Sequence, residues 1–157
     1  MDLKILEKFR REKFKQLDSK EKEAAVRELI QSIVEENNLT DVNVEAGEGF
    51  GYNSKTNTII IQDFEEMEDV SSYEVLTGII HEMKHKEQAD KGALDPLIYQ
   101  GFAYNISPNE IEAHRHASKT LMQLTSFFND DQFYIYLLKL IDTDSKNQKE
   151  SLEKIKR

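Results

Sequence analysis

Residues 72–89 constrain this chain more than any other stretch, because they are patterned on both faces. On an α-helix advancing by about 100° per residue, Val75, Leu76, Ile79, Ile80 and Met83 gather on one side. His81 and His85 fall on the opposite side, with Glu82 beside them and Gly78 close by. Ser71 with Glu74 supplies a candidate capping box at the start. Such a helix must press one face into a core and show its histidines to a cleft.

The titratable face spells His81-Glu82-Met83-Lys84-His85, an HExxH motif. Residues four apart share a helix face, so two imidazoles can reach one metal ion. Glu82 is placed to take a proton from a water on that metal and return it to a leaving amine. Zinc suits two nitrogens and a carboxylate oxygen at about 2.0–2.2 Å, with one position left open for water. The chain has no cysteine. That excludes a disulfide scaffold, a thiol nucleophile and a thiolate zinc site, so His, Asp or Glu must hold any metal. The competing reading is a surface helix with two solvated histidines.

A third ligand is needed, and residues 109–114 offer two carboxylates. Glu110 shares a helical face with Ala113, His114, Ala117, Leu121, Leu124 and Phe128, whereas Glu112 falls with His116, Lys119 and Gln123. A carboxylate on an apolar face needs a partner, and a metal would be one. Glu110 is therefore preferred over Glu112. His114, one turn on, can orient Glu110, bind the metal, stabilise an oxyanion or serve as a hydrogen-bonded core histidine. His116 reads as solvated. Tyr99 and Tyr104 could donate to a tetrahedral intermediate or simply pack. The acidic run 63–69 reads as a solvated loop.

Around these motifs the pattern predicts one α+β domain over residues 1–157: N-terminal helices in 1–40, a core over 41–128, and a C-terminal helix with a charged tail over 129–157. Leu3, Leu6, Phe9, Phe14 and Leu17 recur at helical spacing. Asp18 with Glu21 forms a capping box for a second helix, whose buried stripe is Val26, Leu29, Ile30, Ile33 and Val34. Residues 41–62 read as three short strands, arranged as a meander in an antiparallel or mixed sheet. The glycines at 47, 49 and 51 lack the spacing of a phosphate-binding loop. Residues 90–108 read as a long connection. Pro108 starts a helix running to about residue 128. Residues 129–131 break the chain, and a last helix buries Phe133, Leu137, Leu138 and Ile141.

Composition narrows the partners. Thirty acidic residues against 21 basic ones give a formal charge of −9, which argues against a general nucleic-acid binder. The apolar runs are only a few residues long, so no membrane-spanning helix is expected. The first residues lack a signal-peptide pattern, so the expected location is the cytoplasm.

Taken together, GYNSKTNTIIIQ, EVLTGIIHEMKHKEQ and SPNEIEAHRHASKTL, within about residues 50–124, resemble the minimal HExxH zinc metallopeptidases, gluzincin-like proteins of the ImmA/IrrE type. The chain departs in having Lys84 where relatives often have glycine, His116 for a common phenylalanine, and His114 where many have Asn or Asp. The resemblance implies a zincin-like core. It makes His81 and His85 zinc ligands, Glu82 the general base and Glu110 the third ligand, in agreement with the helical-face argument. It also implies hydrolysis of peptide bonds, as limited proteolysis of a cytoplasmic regulatory protein. The peptide would add as an extended strand beside residues 58–62. The alternatives are a non-catalytic zinc-binding module of a phage or mobile element, closed by His114 as fourth ligand, and a helical protein-interaction module without metal.

Overall fold

The first helices begin where the sequence supplies caps. The computed structural model describes residues 1–67, 69–93 and 107–156. In it the Asp2 carboxylate accepts from the Lys4 N–H at the start of α1 (Leu3–Glu7). At α3 (Ser19–Glu36) the Asp18 carboxylate accepts from the Glu21 N–H at 2.8 Å, and the Glu21 carboxylate accepts from the Asp18 N–H at 3.2 Å. The capping box is thus complete, and Val26, Leu29, Ile30, Ile33 and Val34 are all buried. The two N-terminal helices predicted from the sequence are three. A turn at residues 8–10 separates α1 from α2 (Arg11–Gln16) and lets the buried rings of Phe9 and Phe14 stack with centroids 5.5 Å apart.

The sheet corrects the predicted meander. Strands β1 (Asn43–Gly47), β2 (Gly51–Asn53) and β3 (Thr58–Gln62) lie in the order β1-β3-β2. β3 runs parallel to β1, with Val44 opposite Ile59, and antiparallel to β2, with Tyr52 opposite Ile59. The reason lies in the β1–β2 connection, which wraps over the end of β3. The Asp63 N–H donates to the Gly47 carbonyl, and the Gly49 N–H donates to Gln62 Oε1 at 3.0 Å. Gly49 has φ +69°, and a Cβ on Gly47 would lie 2.9 Å from Ile60 Cγ2, so this crossing requires glycine. Consequently Thr58–Gln62 is the central strand, paired on both sides, and is no free edge for a peptide. The edges are β1 and β2.

Helix α4 (Ser72–Asp90) packs against α2, α3, β2 and β3. The Ser71 hydroxyl accepts from the Tyr73 N–H at 3.3 Å. The predicted stripe Val75, Leu76, Ile79, Ile80 and Met83 is buried. Together these elements make one compact unit, Met1–Asp90.

The other unit, Lys91–Arg157, is helical in its described part. Ser107 caps α5 (Pro108–Gln123), with Pro108 in the first turn as predicted. The predicted run to residue 128 breaks at Leu124, so Thr125–Phe128 forms a separate turn, α6. Asn129 adopts a left-handed conformation, φ 42°, and stops it. The last helix continues through the charged tail: α7 (Asp131–Lys156) is one helix. Phe133 and Leu137 are buried, but Leu138 is 67% exposed, contrary to the predicted core. α7 packs on α5 and α6. Most of the predicted connection at 90–108, with Tyr99 and Tyr104, lies outside the described residues. No helix among the described residues is long and apolar enough to cross a membrane.

Candidate metal centre

On α4 the three motif side chains are enclosed. His81, Glu82 and His85 are 8%, 7% and 7% exposed, which overturns the solvated-surface reading. The two imidazoles lie one turn apart, with ring centroids 4.8 Å apart and planes at 84°. Glu82 Oε1 stands 3.9 Å from His81 Nε2, so the candidate base sits at the candidate ligand. His85 Nδ1 lies 2.8 Å from Gln88 Oε1. The amide oxygen only accepts, so Nδ1 carries the proton and Nε2 keeps its lone pair for a metal. Sequence reasoning missed Gln88. Its signal was a carboxamide one helical turn after a motif histidine.

The same helix end is held from below. Lys86, between the two in sequence, is 1% exposed. Its ammonium donates to Asp90 Oδ1 at 2.6 Å and to Thr40 Oγ1 at 2.5 Å. The Thr40 N–H also donates to Asp90 at 2.9 Å. This ties the last turn of α4 to the α3–β1 connection. Burial works to raise the Asp90 pKa, but hydrogen bonds from Lys86 and Thr40 outweigh it and hold the carboxyl below its ordinary value. Burial, followed by the nearby Asp90 charge, raises the Tyr52 phenol.

On α5 the face argument holds. Glu110 is 3% exposed, Ala113, Ala117 and Leu121 are buried with it, and Glu112 and His116 are exposed. Glu110 sits in the first turn, its N–H donating to the Ser107 hydroxyl at 3.4 Å. His114 Nε2 is 3.6 Å from Glu110 Oε2. His81 in one unit, and Glu110 and His114 in the other, are side chains of the kinds that can hold a metal ion. His85 adds an oriented nitrogen in the unit that carries His81. Each unit thus offers a preformed pair: two imidazoles on α4, and a carboxylate with an imidazole on α5.

No protein-family model, no curated protein and no solved structure matches this chain. The centre therefore rests on its own chemistry.

Proposed function

We propose that the chain is a zinc-dependent peptidase with a zincin-like core, in which His81, His85 and Glu110 hold the metal and Glu82 is the general base. The observation that carries this reading is the buried His81–Glu82–His85 face of α4, with His85 held in one tautomer by Gln88. Two imidazole nitrogens and the buried Glu110 carboxylate make a donor set that fits zinc with one position open. When bound, zinc supplies a Lewis acid for the scissile carbonyl and acidifies the attacking water. Glu82 accepts the proton and returns it to the leaving amine. Gln88 keeps the His85 lone pair on Nε2. The proposed substrate is an extended segment of a cytoplasmic regulatory protein.

A second reading has its own support. His114 stands one turn from Glu110 and 3.6 Å from its carboxylate. As a fourth ligand it would close the site and make the zinc structural.

Elemental analysis of the full chain, purified without chelators or a metal-binding tag, tests both. Near one equivalent of zinc is expected, lost in His85→Ala and in Glu110→Ala. Glu82→Gln should keep the metal and lose cleavage of a peptide library by about 100- to 10,000-fold. Normal cleavage by Glu82→Gln would remove the general-base assignment. Release of metal by His114→Ala, with no cleavage by the parent chain, would select the structural site.

A further inference from the structure

A second polar feature lies at the start of α4, two turns before the histidines. A cavity of about 250 Å³ opens there, and Arg11, Lys15, Lys22, Asp69, Ser71 and Ser72 are among the residues that line it. Three of these are cations, gathered in a chain whose net charge is −9. Lys22 is 7% exposed, with its ammonium 5.5 Å from the Phe14 ring centroid. Arg11 and Lys15 are exposed, as is Asp69, the one carboxylate among the described residues that line the cavity.

The cavity faces the N-terminus of a 19-residue helix. The first-turn N–H groups of such a helix have no intrahelical partner, and its dipole favours an anion. The Ser71 hydroxyl serves the Tyr73 N–H. A second observation points to a ligand. Ser72 is 2% exposed, lines the cavity, and its hydroxyl has no hydrogen-bond partner among the described residues. A buried hydroxyl without a partner is unfavourable unless something completes it.

We propose that this cavity binds a phosphate group, with Arg11, Lys15 and Lys22 supplying the charge and the Ser72 hydroxyl and the first N–H groups of α4 donating to its oxygens. The group comes either as inorganic phosphate or on a small organic monoester. The site is separate from the metal centre and does not depend on the peptidase reading.

Calorimetric titration of the full chain at low ionic strength tests it, with inorganic phosphate in one arm and glycerol 3-phosphate in the other. Saturable binding is expected in at least one arm, and the tighter arm identifies the source. Arg11→Gln with Lys15→Gln should weaken that binding at least tenfold, since two charge-assisted contacts are lost. Asp69→Asn should strengthen it by removing a repelling charge. Ser72→Ala separates ligation from packing: it should raise the melting temperature of the ligand-free protein, because an unpaired hydroxyl goes, while weakening phosphate binding. His85→Ala should bind phosphate as the parent does. No saturable binding in either arm overturns the proposal, as does binding that survives the double variant but is lost in His85→Ala.

Discussion

Helices α4 and α7 bury their side chains in opposite ways. α4 buries thirteen of its 19 residues, α7 only four of its 26. Apart from the Ser72 hydroxyl at its start, several buried polar groups of α4 find partners inside the unit: His85 with Gln88, Lys86 with Asp90 and Thr40, and the Thr77 hydroxyl with the Tyr73 carbonyl at 2.6 Å. In α7, Asp144 is buried with Oδ1 unpartnered among the described residues, while Ile135, Leu138, Leu152 and Ile155 are exposed. A helix buried over most of its circumference must satisfy most of the polar groups it carries, because water reaches few of them. A helix with one buried stripe has water on the rest of its circumference. The comparison therefore predicts that substitutions on α4 act strongly and those on the open face of α7 weakly.

The largest effect is expected at the base of α4. Asp90→Asn leaves the Lys86 ammonium buried without its counter-charge, at a cost of about 3 kcal/mol. Urea denaturation followed by circular dichroism measures this. The pH dependence carries the sign. The folded Asp90 carboxyl lies below its ordinary value of 3.8. Its contribution is therefore complete above that pH and is lost as the pH falls through the folded pKa. Parent stability should decline on acidification below about pH 4, and Asp90→Asn should lack that part of the decline. Equal slopes in the two proteins would show that the Lys86–Asp90 pair does not secure the helix.

Next comes the contact between α4 and the chain leading into β2. A Cβ on Gly78 would sit 2.8 Å from Phe50 Cδ2 and 3.0 Å from Cγ. Gly78→Ala gains helix propensity but overpacks this contact, for a net loss of about 1–3 kcal/mol. Adding Phe50→Leu should recover most of the loss. A Gly78→Ala protein as stable as the parent would mean that α4 has slack on this face.

These two sites also mark where the sequence stops being legible. The α3 stripe, the α4 stripe and the Glu110 face of α5 follow from helical periodicity, because burial there repeats with the helix. Lys86 and Gln88 are legible only in part. Periodicity puts Lys86 on the buried stripe, seven residues after Ile79, and Gln88 on the histidine face, but it does not say what satisfies a buried ammonium or carboxamide there. The Lys86 partner Thr40 lies 46 residues away. The strand order β1-β3-β2 was equally hidden. Alternating side chains show that a segment is a strand and not which neighbour it pairs with. Leu138 misled for the converse reason: an apolar residue beside the stripe need not be in it.

A smaller effect is expected from Gln88→Leu. It removes the acceptor of His85 Nδ1 while keeping apolar volume, so the fold should persist and zinc affinity should fall about 10- to 100-fold in a chelator competition. This assumes the proposed ligation by His85. Unchanged affinity would mean that the ring is oriented by packing alone.

The smallest effect tests the open helix. Leu138→Gln replaces a side chain that is 67% exposed. With little apolar area to return to water, the change should stay within about 0.5 kcal/mol in urea denaturation. A loss above about 1 kcal/mol would mean that Leu138 is covered in solution. The contrast with α4 would then fail, since α7 would also be enclosed, with its extra partner still to be found. A null result keeps the contrast and assigns the length of α7 to local terms such as the Lys146–Asp142 pair at 3.0 Å, each contributing only a few tenths of a kcal/mol.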